Sequence, residues 1–341
     1  MSTAPKAIGS TFAIDEESFK KTVPFSLVST NLAGAFAIPA PPDTFNPKTA
    51  SAADLVKNGI LLRRPTASDP AELTAAWNQV FSRQWLAKDR IIPQSVPQVG
   101  KTHLSGKIRR QSNTSWVGNA WSGGVIDTGS WTSVLGYWVI PSVSKPSEAQ
   151  GTEGGWNSSS WVGIDGWNDP SISSNDVLQA GIQQVVNSSG HASYVAWYEW
   201  FAPPQAGSPG YVWQTNIPNF PVSPGQTVYC SVQYVSGKSG YISFGNEATG
   251  QHFAITLAPP PGANFKGNTI EWIMESPDGG EPTSALPKFS PVKFTSAIGC
   301  GPNNAVGNPQ NADTVNVQTP AGKTITSVAL ASFGVTVDFI G

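Results

Sequence analysis

The chain has 341 residues, of which only 12% are charged, and it contains 34 Gly, 29 Pro and 13 Trp. Average soluble proteins carry roughly twice this share of charged residues, so the composition argues against a helix-rich cytosolic enzyme and favours an all-β fold with many turns. The overall charge of −2 hides an asymmetry, because residues up to Arg110 contain 14 Lys and Arg against 8 Asp and Glu, and no Arg follows Arg110. The acidic remainder argues against a nucleic-acid-binding domain.

Residues 1–110 read as an N-terminal extension. The first 60 or so lack sustained periodicity and contain the proline-rich connector Ile38-Pro39-Ala40-Pro41-Pro42, so we expect them to wrap around the rest of the chain or to dangle from it. One helix is predicted near 69–88, with Asp69 as N-cap and Pro70 at its first position. Its apolar face is Leu73, Trp77, Val80, Phe81 and Trp85. This helix either docks on the following domain or belongs to a small prodomain.

Residues 111–341 read as a single β-sandwich domain, because turn-forming clusters recur at sandwich-like intervals. The boundary carries the basic run Lys107-Ile108-Arg109-Arg110, which is either a solvated loop or a processing site. Cys230 lies in a strand-like segment, which favours a buried free thiol over a disulfide with Cys300. No run of about 18 apolar residues occurs, so we expect no membrane span. A signal peptide is not recognisable either, which leaves the compartment open.

Four strand-like segments carry polar residues at positions that alternation assigns to one face. The central one is Ser193–Phe201, where Trp197, Glu199 and Phe201 share a face and Tyr198 and Trp200 share the other. A carboxylate in such a strand needs partners or a function, because burial disfavours its charge. In the other three segments, Trp161 aligns with Asp165, Gln179 with Gly181, and Glu271 with Glu275.

Each of these polar residues also has a simple structural explanation. Asp165 precedes a glycine, as turn residues do, and a lone Gln179 in a strand is usually a solvated side chain. Glu271 and Glu275 fit polar-outward alternation at a sheet edge, and Trp121 is typical of a core residue. The coincidence of four such segments, each with its polar residue among aromatics or beside a glycine, favours a shared site.

These segments resemble the eqolisins, the glutamic peptidases. The motifs, in order, are Trp121-Ser122-Gly123-Gly124, Trp161-Val162-Gly163-Ile164-Asp165-Gly166, Leu178-Gln179-Ala180-Gly181, Ala196-Trp197-Tyr198-Glu199-Trp200 and Glu271-Trp272-Ile273-Met274-Glu275. The resemblance spans roughly residues 115–341. It implies a concanavalin-like sandwich of two antiparallel sheets and an acid endopeptidase that uses no cofactor. The chain departs from the family at Phe201, where a Tyr is usual, and at Val195, where an Asp is usual.

The resemblance assigns a role to each matching position. Gln179 and Glu275 correspond to the catalytic pair, and the cleft-lining residues correspond to Trp121, Trp161, Asp165, Trp197 and Glu199. Those residue types suit the chemistry, since a glutamate can take a proton from water while the amide of a glutamine stabilises the developing oxyanion. Protein or peptide substrates, a monomer and secretion are the corresponding expectations.

If the domain is a peptidase, the extension is expected to be an inhibitory prosegment. A basic segment before an acidic domain should dock electrostatically at neutral pH and loosen as carboxylates become protonated. We therefore expect acid-triggered loss of residues up to about Arg110, and a permanent structural extension is the alternative.

Two rival functions remain open on sequence alone. A lectin-like sandwich would explain the tryptophans but not Gln179, and a glycoside hydrolase would use Glu199 with Glu275 or Glu271. A metal site is not expected, because His103, His191 and His252 lack ligand spacing, and each is interpreted as a loop or surface histidine.

Overall fold

A computed structural model of the chain describes residues 15–83, 85–98, 103, 105–147, 155–167, 169, 176–202, 212–235, 239–277 and 285–341. Its three α-helices within these ranges are α1 (Glu16–Lys20), α2 (Ala52–Lys57) and α3 (Ala71–Val80). The strands are β1 (Val28–Ser29), β2 (Ala35–Ala37), β3 (Val96–Pro97), β4 (Ile108–Ser112), β5 (Ser115–Gly118), β6 (Trp121–Ile126), β7 (Ser133–Val139), β8 (Val143–Ser144), β9 (Trp156–Asp165), β10 (Val177–Val186), β11 (Ala192–Phe201), β12 (Val212–Ile217), β13 (Thr227–Val235), β14 (Ser239–Asn246), β15 (His252–Leu257), β16 (Ile270–Glu275), β17 (Lys288–Phe289), β18 (Val292–Cys300), β19 (Val306–Gly307), β20 (Asp313–Val317), β21 (Thr326–Ala331) and β22 (Gly334–Phe339).

Two large sheets form a sandwich, which confirms the predicted all-β fold class. Sheet 1 has the order β1-β2-β15-β14-β13-β7-β18-β22-β21, with β19 paired to β18. Sheet 2 has the order β3-β12-β11-β10-β9-β16-β6-β20-β5-β4. Neighbouring strands are antiparallel except for β5 and β20, which run parallel. A separate pair, β8 and β17, lies outside both sheets.

The core lies between the two sheets and follows the alternation of the sequence. On β11, Tyr198 and Trp200 point into this core, while Trp197 belongs to a second apolar cluster on the opposite face. Trp272 and Met274 of β16 likewise point inward, and both are fully buried. Both faces of sheet 2 are therefore covered, which is why its central strands contain bulky residues at nearly every position.

The extension is built into both sheets rather than hanging from them. Strand β2 pairs with β15 at one edge of sheet 1, and β3 pairs with β12 at one edge of sheet 2. Strand β4 crosses the predicted boundary at Arg110 and pairs with β5. The expectation that the first residues wrap around the domain agrees with these pairings for the described residues from 15 onward.

Helix α3 is shorter than the predicted helix over 69–88, and it begins differently. Its N-cap position is Pro70, which offers no side-chain cap, and the Asp69 carboxylate instead pairs with Arg63 at 2.7 Å and accepts a hydrogen bond from the Thr66 backbone. The helix ends at Val80, whose carbonyl accepts a hydrogen bond from the Trp85 indole at 2.7 Å. The predicted aromatic stripe therefore folds back over the helix end instead of continuing the helix.

The extension docks mainly by apolar packing, whereas the charge asymmetry predicts electrostatic docking. Leu73, Ala76 and Val80 of α3 pack against Tyr137 and Tyr229 of sheet 1. Within the described ranges, the lysines and arginines of the extension form ion pairs only with acidic residues of the extension itself. Burial of apolar side chains gives far more stabilisation than exposed ion pairs, so complementary net charge has a secondary role.

The cysteines confirm the expectation of free thiols. Cys230 and Cys300 are both buried free thiols. They lie on β13 and β18, which are separated by β7. No helix in the described part of the chain is both long and apolar enough to cross a membrane.

Candidate active site

The predicted site residues lie on the face of sheet 2 that points away from sheet 1, which we call the cleft face. Gln179 on β10 lies opposite Glu199 on β11 and Gly163 on β9. Glu275 on β16 lies opposite Ser159 on β9. Since side chains alternate along each strand, the pairing places the Gln and both carboxyl groups on this one face, as the sequence predicts.

Glycines beside these residues make room for an indole ring. A Cβ atom on Gly181 would lie 2.4 Å from the Cβ atom of Trp161. A Cβ atom on Gly163 would lie 2.8 Å from the Trp161 ring and 3.0 Å from the Cβ atom of Gln179. Trp161 therefore fills the space beside both glycines.

Glu275 is fully buried and holds two hydrogen-bond donors on one oxygen. Its Oε2 atom accepts from Trp161 Nε1 at 2.7 Å and lies 2.7 Å from His103 Nδ1. Its Oε1 atom has no partner within the described residues. One oxygen is thus fixed in place, and the other remains free for a water molecule or a substrate.

Gln179 and Glu199 form a second hydrogen-bonded pair. Gln179 Nε2 donates to Glu199 Oε2 at 2.8 Å and to the backbone carbonyl of His103 at 3.0 Å. Glu199 Oε2 also accepts from the backbone N–H of His103 at 3.1 Å. Because Glu199 takes one amide hydrogen of Gln179, the other hydrogen is aimed at a carbonyl oxygen.

His103 lies in the middle of this arrangement, so its interpretation as a loop or surface histidine is wrong. Its side chain is fully buried, and its ring stacks on Trp197 with a centroid distance of 3.8 Å and an interplanar angle of 5°. Burial also contradicts the same interpretation for His252, which is 2% exposed, whereas His191 is exposed. Sequence reasoning missed His103 because it belongs to no motif, and its only signal is its place in the basic extension.

The hydrogen bonds around His103 are those of a protonated imidazole. Its Nε2 atom lies 3.0 Å from Gln214 Oε1, while Gln214 Nε2 donates to Gln183 Oε1 and Asn216 Oδ1. Gln214 therefore presents an acceptor, and Glu275 presents a carboxylate to Nδ1. Both ring nitrogens must donate, which requires an imidazolium that is neutralised by Glu275. The sequence analysis also missed Gln214, because this residue belongs to none of the motifs.

The pKa values of the three titratable groups agree with this arrangement. Burial lowers the pKa of His103, but the charge of Glu275 and the hydrogen bond to it outweigh burial, so the net shift is upward. Burial raises the pKa of Glu275, against the opposing effect of His103. Burial raises the pKa of Glu199 to about 8, with His103 opposing and Glu275 adding to the rise. His103 therefore favours the ionised form of Glu275, while Glu199 is held toward its protonated form.

Three tryptophans wall the site. Trp121 packs edge-on against Trp161 at 4.8 Å, and both are fully buried. Trp197 donates its indole N–H to Ser159 Oγ at 2.8 Å, which fixes the ring that His103 stacks on. The cleft-lining positions Trp121, Trp161 and Trp197 thus lie together around Glu275 and His103.

Asp165 is attached to a loop rather than aimed at the catalytic pair. Its carboxylate accepts from the backbone N–H groups of Lys266, Gly267 and Asn268 at 3.0, 2.8 and 2.7 Å. Three such bonds fix the connection that leads into β16, so Asp165 supports the strand that carries Glu275. The turn interpretation of this residue fits its observed contacts, and its backbone φ of 68° lies in the left-handed region that Asp adopts at turns.

Glu271 lies on the same face but has neither oxygen hydrogen-bonded within the described residues. Burial raises its pKa well above the ordinary value, with Asp165 adding to the rise. A glycosidase nucleophile acts in its ionised form, and this environment disfavours that form of Glu271. Within the part of the chain that the structure describes, no group of three His, Cys, Asp or Glu side chains could hold a metal ion.

Comparison with known proteins identifies the family of the chain. The model of the Peptidase A4 family matches residues 119–339. The chain belongs to the Peptidase A4 family. This peptidase is similar to aspergillopepsin-2 of Aspergillus niger, with 28% identity over 261 residues that cover 73% of this chain and 86% of the relative. It is also similar to scytalidopepsin B of Scytalidium lignicola, with 27% identity over 212 residues that cover 59% of this chain and 72% of the relative.

The fold of this peptidase resembles that of scytalido-glutamic peptidase in complex with a peptide-based transition state analogue. The TM-score is 0.51 at 20% identity, and the match covers 65% of this chain and 98% of that one. The predicted family and fold are therefore confirmed, and the chain is an acid endopeptidase. Neither the lectin nor the glycoside hydrolase alternative is retained.

Proposed function

We propose that this peptidase cleaves peptide bonds with Glu275 as general base and Gln179 as oxyanion donor. The observation that carries the proposal is that both side chains contact one residue, His103, on the cleft face. Gln179 donates to the backbone carbonyl of His103 at 3.0 Å, as it would donate to the carbonyl of a scissile peptide. Glu275 Oε2 lies 2.7 Å from the imidazole Nδ1 atom of the same residue.

In the proposed reaction, Glu275 alone carries the proton from the attacking water to the leaving nitrogen. Glu275 takes a proton from water as the water oxygen bonds to the peptide carbonyl carbon, and the carbonyl electrons move to the oxygen. The amide N–H of Gln179 stabilises that oxyanion, and a glutamine holds its proton at every working pH. Glu275 then gives its proton to the leaving nitrogen as the C–N bond breaks. Glu199 positions the Gln179 amide through the 2.8 Å hydrogen bond.

The extension inhibits this site through His103. Its imidazolium binds Glu275 Oε2, and its backbone carbonyl accepts a hydrogen bond from the Gln179 amide. One residue therefore occupies both catalytic groups. The buried ring on Trp197 leaves no path for an attacking water at that oxygen. The chain is therefore proposed to be an inactive precursor, with residues 1–110 as its inhibitory segment and residues 111–341 as its catalytic domain.

Acid acts on the docked extension through His252 rather than through the cleft pair. Docking raises the pKa of both Glu275 and His103, so these groups hold their protons more tightly in the docked chain. Burial lowers the pKa of His252 to about 4, so protonation of this side chain in acid favours release of the extension. When the extension leaves, water enters the cleft, and the pKa of Glu275 returns toward its ordinary value of about 4.3. Glu275 can then act as a base in mild acid.

The substrates are proposed to be proteins or peptides, consistent with the peptide-based transition state analogue bound by scytalido-glutamic peptidase. Trp121, Trp161 and Trp197 would line the substrate path beside the catalytic pair, Glu199 would position the amide, and Asp165 would hold the strand that carries Glu275. A secreted monomer remains part of the proposal.

The test uses the acid-activated enzyme with casein at about pH 4. Gln179→Ala should lower the rate by about 100-fold or more. Glu275→Gln should abolish the rate, while the unfolding midpoint of both variants stays near that of the wild type. Glu247→Gln and Gln310→Ala are the matched controls, because these residues lie far from the cleft face and should keep activity. Digestion that persists at the wild-type rate in either site variant would remove the assignment.

A further inference from the structure

A cavity of about 360 Å³ lies on the opposite side of the molecule from the catalytic pair, between the extension and sheet 1. Residues 41–47, 58–60 and 80–83 of the extension form one wall. Strands β13, β14 and β15 form the other wall through Tyr229, Ser231, Tyr241 and His252. The cavity exists only while the extension is docked, because neither wall encloses it alone.

Arg90 brings a positive charge to this cavity without a carboxylate to neutralise it. Its Nε and Nη2 atoms donate to the Ile38 carbonyl at 3.1 and 2.8 Å, and its guanidinium forms no ion pair with any described residue. Burial lowers the pKa of Arg90, and the ionisable groups that oppose this shift are the hydroxyls of Tyr241 and Tyr229. Arg90 is half-buried, and its remaining N–H groups have no carboxylate partner among the described residues, so an anionic group in the cavity would complete the site.

One of the two other basic side chains that line the cavity adds to its positive character, and the other does not. Arg83 lies against it, stacked over the Trp85 ring at 5.5 Å. Burial lowers the pKa of His252 to about 4, and Arg90 contributes to that shift, so the imidazole stays neutral rather than adding a charge. Asp43 also lines the cavity, but one of its oxygens accepts from the Ala87 backbone at 2.7 Å.

The remaining lining is apolar and large enough for a ring or a short alkyl chain. Phe45, Ile60, Leu62, Val80, Phe81 and Leu135 surround the space. A guanidinium at one end and apolar walls at the other suit a ligand that is anionic at one end and apolar at the other.

We propose that this cavity is a binding site for a small amphiphilic monocarboxylate, with its carboxylate on the free N–H groups of Arg90 and its apolar part between Phe45 and Phe81. Arginine suits this role because its planar fork matches a carboxylate. The ligand contacts both the extension and sheet 1, so binding stabilises the docked extension by mass action. The site is separate from the cleft chemistry, and its test does not depend on catalysis.

The experiment measures binding of 3-phenylpropionate to the full chain at about pH 7 by calorimetry. The expected result is one site with a Kd below about 1 mM, and at least about tenfold weaker binding of the uncharged 3-phenylpropionamide. The unfolding midpoint should rise with the carboxylate and not with the amide. Binding should persist in Gln179→Ala, which separates this cavity from the cleft.

Two variants locate the site. Arg90→Gln should weaken binding at least about tenfold, while Arg109→Gln, which removes an exposed charge on β4, should leave binding unchanged. If Arg90→Gln fails to fold, Ser231→Leu decides instead, because it keeps Arg90 and fills the cavity from β13. Equal binding of acid and amide, no detectable binding of the acid, or unchanged affinity in the folded variant would each overturn the proposal.

Discussion

The imidazole of His103 and the carboxylate of Glu275, which are 172 positions apart in the chain, lie 2.7 Å apart in a fully buried ion pair. The pair joins the extension to the strand proposed to carry the general base. A buried pair of this kind adds little net stability, since desolvation offsets most of the attraction. The functional importance of this pair is that it depends on protonation, which makes occupation of the cleft by His103 sensitive to pH.

His103→Ala tests the proposed inhibition directly. Without the imidazole, Glu275 loses its partner and the extension keeps only its backbone contacts to Gln179 and Glu199, so the cleft should open at a higher pH than in the wild type. The onset of casein digestion during stepwise acidification of the full chain should move upward by about one pH unit or more. His191→Ala, which removes an exposed histidine, is the control and should leave the onset in place. An unchanged onset in His103→Ala would contradict the inhibitory role.

The activity should tolerate loss of the Glu199 charge but not loss of the Glu199 oxygen that accepts a hydrogen bond from Gln179. Burial raises the pKa of Glu199 to about 8 in the docked chain, and at about pH 4 even an exposed glutamate is mostly protonated, so Glu199→Gln replaces one neutral acceptor with another. We expect kcat/KM of the activated Glu199→Gln enzyme to stay within about tenfold of the wild type. Glu199→Leu removes the acceptor for Gln179 Nε2, so kcat/KM should fall by about 100-fold. A collapse of activity in Glu199→Gln would mean that the ionised form is required.

Apolar docking of the extension predicts resistance to salt. At about pH 7, molar NaCl should not release the extension from the intact chain, because the described ion pairs of its lysines and arginines are internal. Leu73→Ala should instead lower the free energy of unfolding by about 2–5 kcal/mol and expose the extension to limited proteolysis. Glu72→Ala, at the exposed neighbouring position, should have little effect in the same urea titration and protease assay. Release by salt alone would restore the electrostatic account.

His252 should make the contact between the extension and sheet 1 acid-sensitive. Its folded-state pKa of about 4 lies below the ordinary value, so its contribution to stability is present above about pH 6.5 and is lost as the pH falls through about 4. The loss is on the order of 3 kcal/mol. In His252→Gln, the difference in unfolding free energy between about pH 7 and pH 4 should shrink by this amount, as measured by urea titration. An undiminished difference would show that other groups dominate.

Asp69 should keep its contact at a lower pH than His252 does. The hydrogen bond from Arg63 holds the pKa of Asp69 down at about 2, so this pair keeps its charge throughout mild acid. As the pH falls, the extension therefore loses its contact at His252 before it loses this internal pair.

Local patterns of the sequence were sufficient for the β-sandwich and for the faces of its central strands. Alternation along Ser193–Phe201 and Thr269–Pro277 depends only on the geometry of a strand, so Glu199 and Glu275 could be assigned to one face without coordinates. The ordered motifs added the family, and with it the assignment of Gln179 and Glu275. The free thiols followed in the same way from the strand that holds Cys230.

Those local patterns could not predict contacts between segments that are distant in the sequence. The buried positions of His103 and Gln214 depend on where the extension crosses sheet 2, and no local signal encodes that crossing. Asp69 pairs with Arg63 instead of capping α3, and Trp161 fills the space that glycines leave beside Gln179. The sequence by itself determined the strands, the family and the chemical groups of the cleft, because these depend on neighbours along the chain. Only the tertiary structure decided that an imidazolium from the extension occupies them, because burial and hydrogen bonding are set by residues that meet solely when the chain is folded.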